Sequence, residues 1–146
     1  MNLFQTANQQ AIAWVKEMMA ELQSTNPHDA LHALRAGLQA LRDRLTVQEA
    51  AQLAAQLPLL IRGLYFQDWD PQGKPLRIRH REDFAGLVRE RYAPRSMVGA
   101  EDIVRATFRV LSRHVSQGEI TDIMMILPGE IVEMIQGGAR EEQADV

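Results

Sequence analysis

Apolar residues recur along this chain at spacings of three and four. Leu31, Leu34, Leu38, Leu41 and Leu45 form one such series, which places them on a single face of a helix. Asn26-Pro27 precedes the series and reads as a helix start, with Asn as the N-cap and Pro at the first helical position. Thr46-Val47-Gln48-Glu49 follows it and has the form of a capping box. In that box the Thr hydroxyl caps a new helix and the Glu side chain reaches back to the N-cap amide. Leu57-Pro58 ends that helix, because a proline disfavours α geometry in the residue before it. Pro58 then opens a short helix carrying Leu60, Ile61, Leu64 and Tyr65.

The same devices return seventy residues later. Sliding the sequence on itself by that offset lays 31–64 on 101–134 without gaps, with seven of thirty-four positions identical. The identities are Arg35/Arg105, Ala36/Ala106, Leu41/Leu111, Glu49/Glu119, Leu57/Leu127, Pro58/Pro128 and Ile61/Ile131. Val104, Phe108, Leu111 and Val115 repeat the long apolar face, and Ser116-Gln117-Gly118-Glu119 repeats the capping box. Leu127-Pro128 repeats the break, and Ile131, Met134 and Ile135 close the last helix. One further helix precedes each core. The first spans about 7–24, with Ile12, Val15, Met18, Met19 and Leu22, and the second about 81–92, with Phe84, Leu87, Val88 and Tyr92. The expected fold is therefore all-α: two similar four-helix units packed together. Residues 1–66 form the first unit, 67–80 a linker loop with a turn at Asp70-Pro71-Gln72-Gly73, 81–136 the second unit, and 137–146 an acidic, frayed tail.

Composition narrows the class without naming a function. The 146 residues are 46% hydrophobic with few aromatics, which favours helix over sheet. The absence of cysteine excludes a disulfide scaffold, a thiolate metal site and a cysteine nucleophile. The N-terminus carries no basic, apolar leader and no apolar stretch approaches the ~20 residues of a spanning helix, so a cytoplasmic protein is expected, with no membrane partner.

Several runs resemble a bacterial family of uncharacterised proteins, domain-of-unknown-function family 2267. They are 33–46 (Ala-Leu-Arg-Ala-Gly-Leu-Gln-Ala-Leu-Arg-Asp-Arg-Leu-Thr), Gln56-Leu57-Pro58, Ile61-Arg62-Gly63-Leu64-Tyr65 with Trp69-Asp70-Pro71, and His114 to Ile120. The resemblance covers about 10–135. It implies a bacterial, cytoplasmic helical protein and supplies no catalytic residues.

Candidate chemistry is sparse. His28 and His32 lie four apart and share a helix face, but no third ligand or HExxH pattern accompanies them, so no metal is expected. No Walker loop, GxSxG or dinucleotide fingerprint appears, so neither a cofactor nor a catalytic residue is assigned. Arg35/Arg105 and Glu49/Glu119 recur in both copies, which argues for structural work. Net charge is −3 but uneven: 74–95 carries seven Lys/Arg against three Asp/Glu, and 114–146 one Arg against seven Asp/Glu. Arg77, Arg79, His80, Arg81, Arg89, Arg91 and Arg95 form the basic stretch, and Arg77, Arg79, Arg81, Arg89 and Arg91 are candidate nucleic-acid contacts. The copies differ most where Ala54-Ala55-Gln56 faces Met124-Met125-Ile126 in the alignment. Met is adaptable at protein-binding surfaces, so Met124, Met125 and Ile126 are candidate protein contacts. Ile123 and Leu127 should face inward, and Met125 should approach solvent. The favoured reading is a non-enzymatic module for protein interaction or self-association. The alternative is a nucleic-acid-associated protein.

Overall fold

The structure is a computed structural model that describes residues 1–92 and 98–137. Arg95 and the acidic tail beyond Gly137 lie outside the described residues. Among the described residues there are eight helices and no strand: α1 (Gln5–Leu22), α2 (Pro27–Arg44), α3 (Val47–Ala55), α4 (Leu59–Phe66), α5 (Arg81–Arg91), α6 (Ala100–His114), α7 (Gln117–Ile126) and α8 (Gly129–Gln136). None is long and apolar enough to cross a membrane.

The helix bounds follow the sequence punctuation. Asn26 caps α2, its side chain accepting from His28 N at 2.9 Å, with Pro27 at the first position. Thr46 and Ser116 accept from Glu49 N and Glu119 N at 3.1 and 3.2 Å. Pro58 and Pro128 stand immediately before α4 and α8 in extended geometry. α2 and α6 end at 44 and 114, α3 and α7 begin at 47 and 117, and α4 and α8 span 59–66 and 129–136. Each pair of bounds is offset by seventy.

The glutamate half of the expected capping boxes is different. Neither Glu49 nor Glu119 returns a hydrogen bond to its cap amide; Glu49 Oε2 and Glu119 Oε1 are buried without a hydrogen-bond partner. Ser116 N instead donates to Gln56 Oε1 at 2.8 Å, so a side chain of the first unit completes the cap of the second. Gln56 is where the alignment has Ile126, which has no acceptor to return the favour to Thr46.

Packing between the halves is reciprocal. α1 packs on α2, α4 and α6, while α5 packs on α6, α8 and α2, and α2 crosses α6 at the centre. Gly37 and Thr107, seventy apart, meet at that crossing: a Cβ on Gly37 would fall 2.1 Å from Thr107 Oγ1. Glycine is required here because the helix backbones approach too closely for a methyl group. Two charge clusters repeat the exchange with reversed sign. Arg91 of α5 donates to Gln39 Oε1 at 3.1 Å and pairs with Asp43 of α2. Glu21 of α1 accepts from Arg109 at 3.4 Å and pairs with Arg113 of α6. Gln39 aligns with Arg109, Asp43 with Arg113 and Glu21 with Arg91, so cation and anion have traded helices. One continuous core, from Trp14 to Met134, draws on both halves.

A buried polar knot pins the loop after α4. Arg42, fully buried, donates from Nε to Asp43 Oδ1 at 2.8 Å and from Nη1 to the Tyr65 and Gln67 carbonyls at 2.7 and 2.9 Å. It thereby satisfies the orphan carbonyls at the end of α4. Gln39 Nε2 adds Leu64 O at 2.9 Å, and Leu76 N returns the chain to Asp43 O at 2.8 Å. Arg105 donates to Met134 O at 3.3 Å and pairs with Asp102, whereas Arg35 contacts His32 Nδ1 at 3.2 Å.

Candidate functional site

An apolar opening lies between α1, α2 and α4. Its volume is about 590 Å³. Ala11, Ile12, Val15 and Met19 supply the α1 wall, Leu31 the α2 wall, and Leu60 and Leu64 the α4 wall. Spacings of three and four on α1 and of four on α4 put these side chains in line along each helix. Ile12 and Leu60 remain 48% and 43% exposed. Lys16 and His28 stand at the rim, and among the described residues no carboxylate lines the opening.

Two local devices hold its walls. Arg62 donates from Nε to Ala54 O and from Nη2 to Leu57 O, both at 2.8 Å, closing the end of α3 and fixing the angle of α4. Tyr65 buries its ring and donates from its hydroxyl to Ala50 O at 2.9 Å. Burial pushes that hydroxyl well above the ordinary tyrosine range, so it stays protonated and keeps the bond.

The aligned place in the second unit carries charge. Ala11, Leu31 and Leu60 align with Arg81, Glu101 and Glu130. Arg81 pairs with Glu101 at 2.7 Å, and His80 with Glu130 at 2.8 Å. The Glu130 carboxylate holds the exposed His80 imidazole above its usual range. One unit thus carries an open apolar groove where the other carries ion pairs across the same three helices.

The candidate residues from sequence fall in several places. Met125 is 80% exposed on α7, Met124 and Ile126 are partly buried, and Ile123 and Leu127 face inward. None of the three borders the groove. Arg81 and Arg91 turn to Glu101 and Asp43, while Arg77, Arg79 and Arg89 are exposed, so the five do not make one stripe. His28 stands at the groove rim and His32 against Arg35; among the described residues no three His, Cys, Asp or Glu side chains cluster as a metal site would require. The apolar spacing placed Ile12, Val15 and Met19 on one helix with Met18 and Leu22 and did not set them apart. The signal that separates this place is the offset alignment: Ala11, Leu31 and Leu60 align with Arg81, Glu101 and Glu130, and Ile12 and Met19 with Glu82 and Arg89, so its apolar character is not shared by the two copies.

Glu49 and Glu119 form another buried feature. Burial, then the Glu49 charge, raises the Glu119 carboxyl above the usual carboxylate range.

A family model described as an uncharacterized conserved protein (DUF2267) matches residues 12–134. No curated protein matches the chain.

Proposed function

Because the chain belongs to the DUF2267 family, whose description names no activity, we propose a function from geometry: a binding module whose α1–α2–α4 groove accepts one amphipathic helix of a partner protein. The observation that carries this reading is the open apolar groove in one unit where the aligned residues of the other form ion pairs. A monomer with no use for the groove would lower its free energy by covering Ile12 and Leu60, since exposed apolar clusters of this kind mark contact sites. Walls in line along α1 and α4 suit a helix offering anchors at i, i+3 or i+4, and i+7. Lys16 and His28 at the rim, with no carboxylate in the lining, select a partner helix with acidic residues beside its apolar stripe. The reading as a nucleic-acid partner has less support, because Arg81 and Arg91 are spent on internal carboxylates.

The test is selection of helix-forming peptides displayed on phage against the wild-type protein, counter-selected on Leu60→Glu. The expected consensus has apolar residues at helical spacing flanked by Asp or Glu, and loses binding to the variant. No enrichment, or a consensus without that spacing, would overturn the proposal. Sedimentation that finds a wild-type dimer abolished by Leu60→Glu would overturn it too, in favour of a second copy of the chain.

A further inference from the structure

We infer that the hollow between the end of α2 and the 73–79 loop is a binding site for a phosphorylated small molecule. The hollow measures about 660 Å³, within the range of small-ligand sites. Arg44, Lys74, Arg77 and Arg79 line it, with Pro75 and Leu76 as its apolar part, and among the described residues no carboxylate lines it. This inference is independent of the groove, which lies on other helix faces.

The four cations are not assembled by chance of sequence. Arg44 ends α2, thirty residues before the others, and is brought to them by two bonds. Its Nε donates to Ile78 O at 2.6 Å, and Leu76 N donates to the Asp43 carbonyl at 2.8 Å. These fix one guanidinium and leave Arg77 and Arg79 exposed on the same short loop.

A helix C-terminus attracts cations, so the cluster must be weighed against that ordinary role. The end of α2 offers a partial charge of about −0.5, while four full positive charges surround it. The nearest carboxylate in sequence, Asp43, is buried and already paired with Arg42 and Arg91. Asp70 accepts from Gln72 N within its own turn. Burial, then the Arg79 charge, lowers the affinity of Arg44 for its proton, as expected where cations crowd without a counter-ion. A dianion placed among them would relieve that repulsion. Arginine forks suit phosphoryl oxygens, which accept two parallel N–H bonds. The Pro75 and Leu76 surface favours an organic phosphate over a bare ion. Duplex nucleic acid is a poorer match: the hollow is a single concavity, and of the neighbouring arginines Arg81 and Arg91 are paired with Glu101 and Asp43.

The experiment is isothermal titration calorimetry at physiological ionic strength, with inorganic pyrophosphate as the probe. The wild type is compared with Arg77→Ala/Arg79→Ala and with Arg89→Ala, an exposed cation outside the hollow; circular dichroism checks that each is folded. The expected result is saturable one-to-one binding, weakened roughly tenfold or more by the double substitution and unchanged by Arg89→Ala. Three results would overturn the inference. They are no saturable binding at millimolar pyrophosphate, equal weakening by Arg89→Ala, and binding of duplex DNA with pyrophosphate unable to compete.

Discussion

Replacing Arg42 with methionine should be among the most damaging single changes in this protein. The side chain is buried, and its loss removes the Nε bond to Asp43 and both bonds to the Tyr65 and Gln67 carbonyls. Asp43, with its side chain 2% exposed, would keep Arg91 as its remaining cation. Breaking a buried pair by removing one partner costs about 3–5 kcal/mol. With an unfolding entropy of about 2.1 cal/mol/K per residue, 146 residues give about 0.3 kcal/mol/K, so the midpoint should fall by about 10–16 °C. The control is Arg113→Met. Arg113 aligns with Asp43 and pairs with Glu21, but the side chains are 47% and 15% exposed. Water screens that pair, and its loss should cost about 0–1 kcal/mol. Thermal and urea unfolding followed by far-ultraviolet circular dichroism measure both. An Arg42→Met variant within about 1 kcal/mol of wild type, or no worse than Arg113→Met, would refute the assignment of burial as the deciding term.

Other expectations follow from single contacts. Gly37→Ala should cost about 1–3 kcal/mol by forcing α2 from Thr107, and Thr107→Ala added to it should recover most of the loss; an additive double variant would place the clash elsewhere. Glu119→Gln should raise stability near neutral pH and change nothing near pH 3. The folded carboxyl titrates above its unfolded value, so the wild type loses stability as pH rises through the folded pKa; urea midpoints across that range decide it, and a variant less stable at neutral pH would contradict the sign. Met125→Glu should leave the midpoint within about 0.5 kcal/mol, given its 80% exposure; a loss of several kcal/mol would show a packed side chain. In a crystal, 28–66 should superpose on 98–136, with Pro58 on Pro128 and Glu49 on Glu119; different helix order in the two halves would contradict the repeat.

Local punctuation was legible in the sequence: Asn26-Pro27, Thr46, Ser116 and the two Leu-Pro breaks act within a few residues of themselves, and the helices start and stop where they stand. Apolar spacing likewise identified Leu34, Leu38, Leu41 and Leu45 as buried, because a helix converts spacing directly into a face. What tertiary packing decided was which of the apolar faces would be left uncovered. Ile12 and Met18 have the same period and the same character on α1, yet Met18 meets the shared core and Ile12 borders the groove. Charge followed the same rule. Arg77 and Arg91 look alike in the chain, but Arg91 is neutralised by Asp43, forty-eight residues away, and donates to Gln39, fifty-two away, while Arg77 joins Arg44 across thirty-three. The role of Gln56 was invisible for the same reason, since its partner Ser116 is sixty residues distant. A helix face is set by the chain's own geometry; its partner is set by how the helices pack against one another, and local pattern carries no record of that.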